Sequence, residues 1–111
     1  MIGGNIKGTI QRKVSTKNKY GEGVLSWEDV VTLTGFLDFS SGGATYTSYN
    51  SKITEATHIF MSDYQELGVS EEKARMVINN QVYDVTYIDN PMNLNEHLEI
   101  FLKYIGGAQS V

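Results

Sequence analysis

An alternation of period two runs through almost every apolar stretch of this 111-residue chain, and no stretch keeps a helical period for long enough to form a layer. Its longest instance is "SWEDVVTLTGFLDF", residues 26–39, with Trp27, Val31, Leu33, Leu37 and Phe39 on the odd positions and mostly polar or Thr residues between them. Side chains two apart share one face of a strand, so the odd set reads as a buried face. Gly35 falls on that face, where a missing side chain points to a bend or to another backbone at close range.

The other segments obey the same rule. Ile6, Ile10 and Val14 share a face of a first strand with Arg12 between them, and "STKNKYGEG", residues 15–23, reads as a polar connection. "KITEATHIFM" gives a third strand over Ile53–Met61. "SDYQELGVSEEKA" is turn-rich, with a short helical turn at Ser70–Lys73 that Ser70 could cap. In "RMVINNQVYDV", Asn79-Asn80 supplies the positive φ of a two-residue hairpin turn. Met76 and Ile78 lie on one arm of that hairpin and Tyr83, Val85 and Tyr87 on the other. After the break at Pro91, "HLEIFLKYI" places Leu98, Ile100, Leu102 and Tyr104 on one face, with His97, Glu99 and Lys103 opposite. About six strands at this length predict a single domain, 1–111, that is all-β: a small, mostly antiparallel β-barrel.

One segment contributes nothing to such a core. Ser40, Ser41, Gly42, Gly43, Ala44, Thr45, Tyr46, Thr47, Ser48, Tyr49, Asn50 and Ser51 carry no charge and no aliphatic anchor. Fixing each residue costs roughly 1–2 kcal/mol of backbone entropy. A loop of this length is expected to be flexible in the isolated chain and to have a function.

Chemistry is sparse. The chain has no cysteine, which excludes disulfides and thiolate metal sites. His58 and His97 fall mid-strand without a partner at metal-ligand spacing, and "GEG" at 21–23 lacks the strand, helix and third glycine of a dinucleotide site. No nucleophile elbow marks Ser40 or Ser41. The expectation is therefore no enzyme, no cofactor and no metal. The longest apolar run is too short to cross a bilayer and the N-terminus has no signal-like stretch, so folding in a reducing cytoplasm is the default, with no membrane partner.

Net charge is −4, but its distribution is uneven. Lys7, Arg12, Lys13, Lys17 and Lys19 precede any acid, whereas Glu22, Glu28, Asp29 and Asp38 follow with no Lys or Arg among them. Each sign is either a solvated face or one half of a head-to-tail contact between subunits. On the second reading Arg12, Lys13 and Lys17 meet Glu28, Asp29 or Asp38 of a neighbour.

The order of these landmarks carries a resemblance: Arg12, a polar gap with "YGEG", Trp27 opening the long strand, the uncharged loop, Thr57-His58-Ile59, the Ile78–Ile88 hairpin, "DNP" and "LEIFLK". From about Gly8 to Ile105 the chain resembles the head–tail joining proteins of tailed bacteriophages, the head-closure or head–tail adaptor family. The resemblance implies a structural virion protein, made in the host cytoplasm, whose barrels pack into a ring, twelvefold in the family. The implied partners are the adaptor on the portal, the tail or a tail-completion protein, and DNA in the channel without sequence-specific binding. The loop at 40–51 would face that channel, becoming ordered only among its copies. Its lack of Lys and Arg suits a segment past which DNA must move, because basic side chains grip phosphates. A tail-completion or terminator-type component, and a small β-barrel nucleic-acid-binding module, are the alternatives. The second of these needs aromatics interleaved with Lys and Arg on one sheet face.

Overall fold

The computed structural model describes residues 4–39 and 56–107. Six strands form: β1 Ile6–Lys17, β2 Gly23–Phe39, β3 His58–Asp63, β4 Ala74–Ile78, β5 Gln81–Asp89 and β6 His97–Gly107. They close in the order β1-β2-β3-β6-β5-β4, every neighbouring pair antiparallel. Closure leaves the body of the sheet without a free edge. Its interior is filled by Ile10, Leu33, Phe60, Met76, Ile78, Val85, Leu98, Ile100 and Leu102, all buried. At Asn79 and Asn80 φ is 50° and 62°, so the β4–β5 hairpin turns as its sequence requires.

Gly35 pairs with Ile6 on one side and Ser62 on the other. A Cβ placed on it would lie 1.9 Å from the Met61 carbonyl oxygen. The close approach expected at this glycine is present, and it is backbone against backbone.

Three register shifts change which residues face inward. Ile10 pairs with Val31 but Gln11 with Asp29, so Val30 is an extra residue in β2. Thr86 is extra in β5 and Ile105 in β6. An extra residue reverses the alternation beyond it. Trp27 therefore does not share the core face of Val31 and Leu33; it lies on the outer surface, half-buried. Tyr87 likewise leaves the face of Tyr83 and Val85 and packs outside the barrel with Ala56, Ile59 and Phe101. Phe39 keeps the inward parity but sits past the last core layer, 80% exposed.

Other boundaries also differ from expectation. The connection after β1 is only Asn18–Glu22, because Ser15, Thr16 and Lys17 continue β1 opposite Leu25, Val24 and Gly23. Asn18 builds that turn: its Oδ1 accepts the Tyr20 and Glu22 N–H groups at 2.9 and 3.0 Å. The described part of the third strand begins at His58, with residues 53–55 outside the described residues. The turn at Glu71–Lys73 is 3-10 and Ser70 makes no side-chain cap; its carbonyl instead accepts the Lys73 N–H at 3.1 Å.

Candidate functional site

β1 and β2 outrun their neighbours. The pairing of β4 with β1 ends at Arg12–Ala74, and the pairing of β3 with β2 begins at Gly35. Among the described residues, Lys13–Lys17 and Gly23–Trp27 pair only with each other, forming a two-stranded arm. Five rungs at about 3.4 Å per residue project it roughly 17 Å beyond the barrel wall. The long axis of the molecule, 49 Å against 28 and 25 Å, accommodates this projection.

The split in charge maps onto the two strands of the arm and its root: Arg12, Lys13 and Lys17 lie on β1, Glu28 and Asp29 on β2. Arg12 ion-pairs with Glu28 of its own chain, both about half-exposed. Such a pair contributes at most about 1 kcal/mol. Asp29 Oδ1 accepts Gln11 Nε2 at 2.8 Å, and Gln11 Oε1 accepts Arg75 Nε at 2.7 Å. The Arg75 guanidinium stacks on Trp27 at 4.2 Å, and Lys13 Nζ lies 5.6 Å from the same ring. Burial lowers the Arg75 pKa against the opposing pull of Asp84, its cross-strand neighbour. Asp38 is remote from this group, at the far end of β2, where its carboxylate accepts the Phe39 N–H at 2.8 Å. Arg12, Lys13, Glu28 and Asp29 are thus brought together at the root of the arm, whereas Lys17 lies at its tip opposite Gly23 and Asp38 at the far end of β2.

Lys13, Trp27 and Arg75 do set basic groups against an aromatic ring, a grouping that Trp27's reversed face hid from the sequence. Arg75 covers the ring, and Asp29 and Asp84 lie on either side of Arg75 in its own cross-strand row. This is a capped tryptophan whose two cations, Arg75 and Lys13, are matched by two carboxylates, and not a stacking platform for successive bases.

The strand directions place two further surfaces. At the end of the barrel carrying the arm lie the 64–70 connection, the Pro91–Asn93 turn and the start of β6. Residues 63–73 and 89–99 hold seven acids and one base, Lys73. Asp89 faces Glu99 across the sheet, and His97 Nε2 contacts Glu99 Oε2 at 3.0 Å. Burial, then the Glu99 charge, raises the Asp89 carboxyl above its usual range, with His97 opposing. A shallow cleft of about 280 Å³ opens here, lined by Tyr64, Glu66, Leu67, Val69, Ile88 and Leu98. Met92 and Leu94 stand exposed at the same end. This acidic bias was readable in the sequence; its gathering at one end was not.

A carboxyl with a raised folded pKa weakens the fold once ionised. Stability should therefore fall as pH rises from the unfolded value near 3.8 through the higher folded one. Asp89→Asn should increase stability at neutral pH and flatten this part of the pH profile. Urea unfolding at several pH values checks both expectations.

The opposite end is an aromatic mouth. His58 lies 4.9 Å from Phe39 and 5.1 Å from Tyr83, and Tyr83 lies 5.5 Å from Tyr104. Thr57 Oγ1 accepts the Tyr104 N–H at 2.8 Å and contacts His58 Nδ1 at 2.9 Å. Burial raises the Tyr83 hydroxyl pKa, with Tyr104 adding to it. The segment Ser40–Ser51 lies outside the described residues; its described flanks, Phe39 and Ala56, are at this end. Among the described residues, no group of three His, Asp or Glu could hold a metal ion.

A family model described as phage head completion protein matches residues 5–104. No curated protein matches the chain. The fold is similar to the solution structure of protein SF1141 from Shigella flexneri 2a, with a TM-score of 0.70 and 21% identity over 94% of this chain and 96% of that one.

Proposed function

The chain belongs to the phage head completion protein family, and we propose that it is the subunit of a ring that closes the filled head between the portal-bound adaptor and the tail. The observation that carries this reading is the family match over residues 5–104, nearly the whole barrel. The form of the molecule supports it. A closed barrel with an arm at one end and an aromatic mouth at the other offers separate surfaces for a neighbour and for a second layer. On this reading the protein resides in the virion, works without chemistry, and touches DNA only where the channel passes.

Ser40–Ser51 is the proposed channel-facing segment. Its support is the family resemblance and the lack of any Lys or Arg that would hold phosphates.

Deleting the gene from the phage that encodes it should leave heads that package DNA, fail to join tails and lose the genome, with rescue by the protein supplied in trans. Heads that keep their DNA and join tails normally would overturn the proposal. Stable filled heads beside unfinished tails would move the protein to the tail side.

A further inference from the structure

We infer that the β1–β2 arm of one subunit docks on the acidic end of a second copy of this chain, which specifies the contact holding the proposed ring together and rests on that reading. The two surfaces are complementary in charge. The arm and its tip carry Lys13, Lys17 and Lys19 against one acid, Glu22, whereas segments 63–73 and 89–99 carry seven acids against one base. They are also complementary in apolar character. Tyr20 and Leu25 stand 74% and 66% exposed on the arm, and Leu94 and Met92 are 57% and 86% exposed beside the cleft. An arm whose strand edges have no partner among the described residues, and whose apolar tips are exposed, is a liability unless something covers it.

Geometry favours a second copy as the occupant. In a cyclic ring every subunit has the same orientation, so surfaces that meet must lie at one height. The arm and the acidic end share one end of the barrel. Barrel strands tilt about 35–45° from the barrel axis, so an arm continuing β1 and β2 leaves sideways as well as lengthwise. The contact is head-to-tail, arm to cleft, which is the type that closes into rings. At the root of the arm, Glu28 and Asp29 are engaged by Arg12 and Gln11 of their own chain. In the far segments Glu71 accepts the Ile88 N–H at 2.7 Å and Glu99 contacts His97, so the exposed Glu66 and Glu96 are the acids assigned to a neighbour's lysines.

The absence of native cysteine makes a direct test available. Two differently tagged copies, one carrying Tyr20→Cys and the other Leu94→Cys, are produced together during phage assembly, and the particles are treated with a short bismaleimide. Because each copy has one thiol, a mixed dimer reports contact between copies. The expected result is mixed dimers in excess over like-tagged ones. Cross-links of Tyr20→Cys to itself or to another virion protein, or none in particles that contain both copies, would overturn the docking while leaving the head-closure reading intact. Absence of the chain from particles would remove both.

Charge exchange gives an independent readout. Lys13→Glu, Lys17→Glu and Lys19→Glu together should lower particle assembly about tenfold or more. Adding Glu66→Lys and Glu96→Lys to the same chain should restore much of it. No recovery, with the barrel still folded by circular dichroism, would assign the lysines to a different partner.

Discussion

Replacing Gly35 with alanine is expected to remove about 3 kcal/mol or more of stability, a large share of the margin of a domain this size. The added methyl would sit 1.9 Å from the Met61 carbonyl oxygen, and the Cα of Ser62 lies 3.1 Å away. Neither obstacle is the end of a flexible side chain. Relief would require β3 to move away from β2, and that movement would break the only described pairing between them, Gly35–Phe39 with His58–Ser62. Barrel closure depends on this seam. Chemical denaturation monitored by circular dichroism reads the effect, and a loss under about 1 kcal/mol would mean that the two backbones are not in contact.

A second pair of substitutions separates the two faces of the longest strand. Leu33→Ala should cost about 2–5 kcal/mol, because Leu33 is only 3% exposed within the main core and its loss leaves a cavity. Trp27→Ala, although it deletes a larger side chain, should cost only about 1–2 kcal/mol, the scale of a cation–aromatic contact with partial burial. Trp27 has Arg75 stacked on it and Lys13 beside it, on the outside of the barrel. The order of the two effects is the test. If Trp27→Ala were the more damaging, Val30 could not be an extra residue and both side chains would face the core.

This pair also shows why the barrel was legible in the sequence while parts of its surface were not. Alternation is a local property, and it located β1, β2, β4, β5 and β6 and most of the interior, from Ile10 and Leu33 to Ile100 and Leu102. A bulge is fixed by pairing with a strand far away in the chain. Nothing local marks Val30 or Thr86 as extra, so the face of Trp27 was assigned wrongly and the outward turn of Tyr87 was not legible. The asymmetry of charge was plain in the sequence, as Lys13 and Lys17 against Glu28 and Asp29. Their position on a projecting arm was not, because it depends on where β4 and β3 stop pairing, at Ala74 and Ser62. The acids of 63–73 and 89–99 lie far apart in sequence and meet only because β5 and β6 pair next to β3.

The head-closure reading is tested most directly by a cryo-electron microscopy map of the head–tail joint in tailed particles of the phage that encodes this chain. The expected result is a ring of closed six-stranded barrels between the portal-bound adaptor and the tail, with each β1–β2 arm lying on the acidic end of the next subunit. Barrels found only beyond the joint, within the tail, or a joint built entirely from other proteins would contradict it.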